Sequence, residues 1–387
     1  RMLAESGVKE LIVVAQDTSR YGTDLPGHKR LLAPLLRELC KIEKLHWIRV
    51  HYVYPDEIDD ELIDTIAQEE KIVKYLDIPI QHCNDTILKA MNRRDTKAEL
   101  LDAIAGSEGR VLACETIGLT PPLLVDVTNA EYAASLSTDI LLLNMFDVQH
   151  PVINALPKVP EEETVREIKR LTGRVVGINL EPCDPQAAKS NDGTLWKMSS
   201  GRLATAENAS RAADMGVDLI VLTGNPGNGV SNELIVESLK DISAAVGDRV
   251  MLAAGKMHAS GVAGEGGEQI MTPADAEAFM AAGADIILLP APGTVPGITQ
   301  NYAHDLIKVV HSHGKLALTA IGTSQEGADV ATIRQIALMC KMVGADIHHI
   351  GDTGVPGMAL PQNIMAYSIA IRGERHTYHK MAQSINR

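Results

Sequence analysis

Along the chain, short runs of consecutive apolar residues alternate with longer stretches in which apolar residues recur every three or four positions. The first pattern predicts strands buried on both faces, and the second predicts amphipathic helices. Before Thr96 the strand runs are Glu10–Ala15, Trp47–Val53 and Tyr75–Ile80, with helical patterns over Lys29–Lys41 and Glu57–Gln68. This is a βαβαβ series, and three strands do not close a barrel. From Leu100 onward eight strand runs follow: Val111–Thr116, Asp139–Met145, Val175–Leu180, Asp218–Thr223, Val250–Ala254, Asp285–Leu289, Lys315–Ile321 and Ala345–Ile350. Helical patterns such as Glu161–Leu171, Ala204–Met215 and Ser231–Val246 lie between them. Several end in Gly-containing turns that lead to an Asp: Met215–Asp218, Ala282–Asp285 and Val343–Asp346, where Gly suits a helix C-cap. The period of about 35 residues is that of a (β/α)8 TIM barrel. The predicted architecture is therefore α/β: an incomplete βαβαβ fragment over 1–98 and a TIM-barrel domain over 99–387. A doubly wound open sheet is the alternative, and eight units favour closure.

In such barrels the chemistry gathers at the strand C-termini. Reading those ends in order gives Glu115 and Thr116, Asn144 and Asp147, Asn179 and Glu181, Thr223 and Asn225, then Lys256 and His258. The last two strands end in glycine loops, Gly322-Thr323-Ser324 and Gly351-Asp352-Thr353-Gly354. Loops with bare amides after strands seven and eight are where a barrel builds a phosphate site. The expected ligand is thus a small phosphorylated metabolite, held by Gly322, Thr323, Ser324, Gly351, Asp352 and Gly354. Asp352 is the weak point, because its carboxylate would repel a dianion. The plainer alternative is that the glycines only turn the chain. Two stretches, Cys183–Leu203 with Trp196 and the Gly-rich Ser260–Gly267, read as lids.

Composition narrows the class. The 387 residues carry a net charge of −14 and 45% hydrophobic positions. That balance speaks against a general nucleic-acid binder. No apolar run reaches the roughly 18 residues of a membrane span. The five cysteines, Cys40, Cys83, Cys114, Cys183 and Cys340, form no CxxC pair, and a cytoplasmic setting is expected. The chain opens on Arg1 with no secretory leader, the start expected of a piece from within a longer reading frame.

Two resemblances add to this reading. Val8–Gly22, His46–Ile58 and Tyr75–Arg94 resemble the ribosomal protein S12 methylthiotransferases, which are radical S-adenosylmethionine enzymes. That family's chemistry needs a CxxxCxxC run to hold a 4Fe–4S cluster. No such run occurs in these residues, so no 4Fe–4S cluster is expected in this chain, although Gln16, Asp17, His51, Gln81 and His82 match. The resemblance stops near Thr96–Leu101 without a linker, as in a natural fusion or an assembly artefact. Nearly all of Leu100–Arg387 resembles a bacterial (β/α)8-barrel family of unassigned activity. The matching stretches include Glu115–Glu131, Leu222–Asn232, Ala253–Gly261, Leu288–Thr299, Ala320–Asp329 and Tyr367–Ile385. Some members carry a haloacid-dehalogenase-like label, but the DxDx(T/V) run it requires is missing here.

Several functions compete. In a Schiff-base lyase or aldolase, Lys256 would be the nucleophile, Glu181 or Glu115 the proton shuttle and His258 an assistant. In a metal-assisted lyase or isomerase similar to the phosphoenolpyruvate mutase type, Glu115, Asp147 and Glu181 would converge on Mg²⁺. A non-catalytic phospho-ligand sensor would keep only the glycine loops, and a methylthiotransferase remnant would keep only the N-terminal fragment. His348 and His349 are adjacent strand residues and face opposite ways, so only one can line the barrel interior. The basic stretch Arg372–His379 is expected to follow the last helix and to close the barrel bottom or to make a homo-oligomer contact.

Overall fold

The computed structural model describes residues 1–15, 18–23, 25, 29–53, 58–75, 97–183, 198–226, 229–259 and 266–383. The chain forms two compact units, Arg1–Ile80 and Gln81–Asn386.

In the first unit β1 (Glu10–Val13) pairs in parallel with β2 (Trp47–Val50). Helices Leu32–Cys40 and Asp60–Gln68 bury Leu36 and Leu62 in a small core with Ile48 and Val50. Ahead of the third predicted strand, Ile72 makes an isolated parallel bridge to Ile48. Ile48 donates to the Lys71 carbonyl, and Val73 donates back to Ile48; positions 76–80 of the Tyr75–Ile80 reading lie outside the described residues. Ile12, Val14 and Trp47 stay exposed. Gln16, Asp17, Gln81, His82 and Cys83 also fall outside the described residues.

In the second unit, eight parallel strands close a barrel. They are β3 (Val111–Ile117), β4 (Ile140–Asn144), β5 (Val175–Leu180), β6 (Leu219–Leu222), β7 (Met251–Gly255), β8 (Ile286–Pro290), β9 (Leu316–Ile321) and β10 (Ile347–Ile350). β10 pairs with β3 and closes the ring. All strand residues but one are buried, and Asn144 is half-buried. Side-chain period two separates their faces. Leu112, Cys114, Leu141, Leu143, Val176 and Ile178 pack outward among the helices. Their alternates fill the interior, as in other barrels.

The Asp residues flagged by the sequence do a repeated job at the strand N-termini. Asp139 donates its backbone N–H to the Leu112 carbonyl, and its Oδ2 accepts the Leu112 N–H at 2.9 Å. Asp218 does the same to Val176, Asp285 to Leu252 and Asp346 to Ala317. Each clamp joins an odd strand to the next even one. Each carboxylate also meets a basic side chain: Arg372 and Lys380 on Asp139, Lys169 on Asp218, Lys97 on Asp285 and His311 on Asp346. Arg372–His379 does not follow the last helix, as expected; it lies within Pro361–Ala382, which breaks at Gly373 (φ 79°, ψ 163°). The two halves put Arg372 and Lys380 at the bottom rim, on Asp139.

Candidate functional site

Strand parity decides which polar ends meet. Inward positions on β3, β4 and β5 end in Glu115, Asn144 and Asn179, and Glu181 continues the inward set of β5. These four line a cavity of about 300 Å³ at the barrel's C-terminal mouth. Arg202, Thr223 and His258 line it too, together with Glu326 and Asp352 from the loops after β9 and β10.

Hydrogen bonds tie two of its carboxyl groups together. Asn144 Nδ2 donates to Asp352 Oδ2 at 2.8 Å. Asn179 Nδ2 donates to Asn144 Oδ1 at 3.2 Å and to Glu115 Oε1 at 2.7 Å. The Glu115 Oε2 atom lies 3.7 Å from His349 Nε2. Burial pushes Glu115 well above the usual carboxylate range, and the charges of Asp352, Glu326 and Glu181 push the same way. Burial also raises Asp352, against the bonds from Asn144 and Gly354. Burial raises Glu326, and Asp352 adds to the rise. Glu181 is raised by burial in spite of its ion pair with Arg202. Burial lowers His258 below the usual imidazole range. The four carboxyl groups thus all hold their protons more tightly than a free carboxyl does, the kind of shift that acid–base groups show.

Not every expected residue joins this group. Glu115, Glu181 and His258 do. Lys256 does not line the cavity: it shares the outward parity of Leu252 and Ala254, is buried at 2% exposure, and its charge is felt by Glu233 on the outer helix Asn232–Val246. The Schiff-base reading loses its nucleophile for that reason. Asp147 is also off the cavity. Its Oδ1 accepts the Gln149 and His150 N–H groups, which fixes the turn after β4. The trio Glu115, Asp147 and Glu181 therefore does not converge. Among the described residues no group of three or more His, Cys, Asp or Glu is placed to hold a metal ion.

The phosphate expectation meets a different obstacle. Gly322, Gly351 and Asp352 line the cavity, while Thr323, Ser324 and Gly354 do not. Thr323 Oγ1 donates to the Thr294 carbonyl. Ser324 starts a short 3₁₀ turn with φ +73°. Several of the loop amides are already committed. Gly351 N–H donates to the Ile321 carbonyl, and Gly354 N–H donates to Asp352 Oδ1 at 2.8 Å. The amides of Ser324, Glu326 and Thr353 face the Glu326 carboxylate. The loops hold the protein's own anions where a phosphate was expected. The glycines answer to packing: a Cβ on Gly322 would sit 2.2 Å from Met257 Sδ, and one on Gly351 2.8 Å from the Ile321 carbonyl oxygen. Glu326 and His349 were missed as site residues. A Glu inside a glycine loop gives only a weak signal, and the inward face of His349 depends on strand register.

Of the predicted lids, 184–197 and 260–265 lie outside the described residues, Trp196 among them. Cys40 is half-buried, and Cys114 in β3, Cys183 after β5 and Cys340 in the helix Val330–Val343 are buried. No helix among the described residues is long and apolar enough to cross a membrane.

Fold and site together define a TIM-barrel protein whose C-terminal mouth is lined by carboxyl groups. Residues 83–387 match the family described as a domain of unknown function, DUF7916, and the chain belongs to that family. A segment is also similar to the ribosomal protein uS12 methylthiotransferases RimO. It is 56% identical over 104 residues to that of Lachnoclostridium phytofermentans, covering 27% of this chain and 23% of the relative. It is 58% identical over 102 residues to that of Clostridium botulinum, covering 26% and 23%. The chain thus spans about a quarter of the length of these relatives. Among solved structures, 2,3-dimethylmalate lyase, a PEP mutase/isocitrate lyase superfamily member, aligns with TM-score 0.40 at 15% identity over 65% of this chain and 78% of its own. Thiamine phosphate pyrophosphorylase from Pyrococcus furiosus aligns with TM-score 0.38 at 11% identity over 68% and 97%. Scores this low carry nothing about chemistry.

Proposed function

We propose that the barrel is an enzyme of lyase or isomerase type that moves protons on a small polar metabolite, with Glu115 and Asp352 as its paired acid and base. The observation that supports this most is the bridge Glu115–Asn179–Asn144–Asp352. It holds the buried Glu115 and the half-buried Asp352 carboxyl groups at one cavity, each with its pKa raised by desolvation. Two carboxyls whose charges oppose each other hold protons at different pH values, so one donates while the other accepts. Asn179 and Asn144 are positioning residues that fix both groups, and the Arg202–Glu181 pair fixes the adjoining wall. The phosphorylated substrate and Mg²⁺ expected from the sequence are not part of the proposal. Several of the loop amides already face carboxylates, and the expected ligand trio is dispersed.

The test is a turnover screen of the purified full chain by NMR. The panel holds small amino, hydroxy and oxo acids and their phosphate esters, each with and without added Mg²⁺. Glu115→Gln and Asp352→Asn should each lower the rate of any turnover found by about 10²-fold or more, the usual worth of a proton-transfer group. They should also each remove one limb of the pH–rate profile. Turnover indifferent to both substitutions would exclude these two groups as the acid and base.

A further inference from the structure

The cavity carries an imbalance that the acid–base proposal does not use. Glu115, Glu181, Glu326 and Asp352 all line it, while Arg202 is the one formal cation among its described lining residues and is already bound to Glu181. Hydrogen-bonding capacity is just as lopsided. Asn179 Oδ1, Thr223 Oγ1 and Glu326 Oε2 are buried and have no hydrogen-bond partner among the described residues. Asn179 is 6% exposed and Thr223 is 3% exposed, and both point inward by strand parity. Neither belongs to the acidic cluster. Turning over the Asn179 amide would not help, because its Nδ2 already serves two acceptors, Glu115 Oε1 and Asn144 Oδ1. The Thr223 hydroxyl can donate or accept, but Asn179 Oδ1 and Glu326 Oε2 are acceptor positions, and buried acceptors left empty are costly, so the site is built for something that donates.

We propose that this cavity takes a small organic cation, a primary amine bound as its ammonium on a short polar skeleton. An ammonium brings three N–H donors and no acceptor. It satisfies Asn179 Oδ1 and Glu326 Oε2, and its positive charge favours the ionised forms of the Asp352 and Glu326 carboxyl groups beside it. A phosphate ester would bring more acceptors and two more negative charges to the same wall. A divalent metal would need several oxygens converging at metal–ligand distance. The described carboxyls surround the space, and no three of them converge on one point. A cavity of about 300 Å³ lies at the lower end of the range for ligand pockets, which limits the skeleton to a few carbons. This inference rests on the acid–base proposal only in placing substrate in the same cavity.

Calorimetric titration of the full chain with three probes of one skeleton tests it: serinol (the amine), glycerol (neutral) and glycerol phosphate (the anion). Serinol should bind saturably, and the other two should bind more weakly by about tenfold or more, a difference of about 1.4 kcal/mol. Glu326→Gln should weaken serinol by a similar factor with its thermal melt preserved. The probe comparison on the unaltered chain needs no variant. Glycerol phosphate binding as well as or better than serinol, equal binding of all three, or no saturable serinol binding would each overturn the inference. So would stoichiometric Mg²⁺ binding that expels serinol. If serinol fails while Glu115→Gln still abolishes a turnover found in the panel, this inference falls and the acid–base proposal stands. If serinol binds as expected while turnover ignores Glu115→Gln and Asp352→Asn, the reverse holds.

Discussion

A single side chain such as Glu115 shows how burial turns a common residue into a reactive one. Its folded-state pKa is raised, so the folded protein holds the proton more tightly than the unfolded chain does. The stability this contributes is full below the ordinary value of 4.5 and is lost as pH rises through the raised one. Glu115→Gln keeps the shape without the charge. Its melting temperature should fall less than that of the unaltered protein between mildly acid and alkaline pH. The slope that remains would come from Glu181, Glu326 and Asp352, which are raised as well. An equal fall in both proteins would mean that Glu115 is ionised without strain. His349 works in the other direction. Burial lowers it from 6.5 to about 4. The stability it contributes is therefore full above the ordinary value and is lost as pH falls through that range. Neither ring nitrogen has a hydrogen-bond partner among the described residues, so His349→Phe should be within about 1 kcal/mol of the parent at neutral pH. The variant should also lose less stability on acidification, with His348, lowered to about 3, supplying the rest of the acid limb. A melt series across pH settles this, and an unchanged acid limb would refute it.

At the scale of elements, the four Asp clamps explain why strands as short as Leu219–Leu222 and Ile347–Ile350 hold their register. Each clamp gives two hydrogen bonds to one residue of the neighbouring strand and anchors a basic side chain. Asp218 is the most enclosed, with its side chain 0% exposed and that of Lys169 10% exposed. Burial lowers Lys169 to about 8 even with that partner. Asp218→Ala would leave the Val176 N–H without its acceptor and Lys169 charged in a dry site, at a cost of about 3–5 kcal/mol. Asp218→Ala together with Lys169→Met should recover a large part of that loss, because no unpaired charge remains. Chemical denaturation of the three proteins measures it. A double variant no better than the single one would show that the lost hydrogen bonds dominate.

For the whole molecule, the boundary between the units is a matter of contacts more than of resemblance. The sequence reading placed the barrel's start at residue 99, whereas the compact unit begins at Gln81. Lys97 explains part of the difference. Its Nζ donates to the Gly247 carbonyl at 2.6 Å and pairs with Asp285 at the same distance. The helix Lys97–Gly106 is thereby tied to the barrel's bottom rim. Residues 81–387 expressed alone should give a folded barrel. A piece starting at residue 100 should melt lower by several degrees, consistent with a loss of about 1–2 kcal/mol for a half-buried, hydrogen-bonded ion pair. Equal melting of the two pieces would show that the Lys97 anchor is dispensable.

The eight apolar runs, the Gly-Asp turns and the polar strand ends were legible in the sequence because local periodicity and cap chemistry need no knowledge of distant partners. Those signals were enough to predict a closed barrel and to name Glu115, Glu181 and His258 near its mouth. What they could not supply was side-chain direction. Lys256 and Met257 differ by one position, yet strand parity sends Met257 to the cavity and Lys256 to the outer layer. Nor could local signals tell whether a glycine loop's amides were vacant. Glu326 and Asp352 face them only because β9 and β10 are neighbours, with Ala320 beside His349 in register. The barrel's closure brings β10 against β3, and that long-range pairing alone sets His349 beneath Glu115 and carries Asp352 to Asn144. The sequence by itself determined the elements and their order, since those follow from local periodicity. The tertiary structure decided which charges share one cavity, because burial and mutual repulsion arise only once distant strands are side by side.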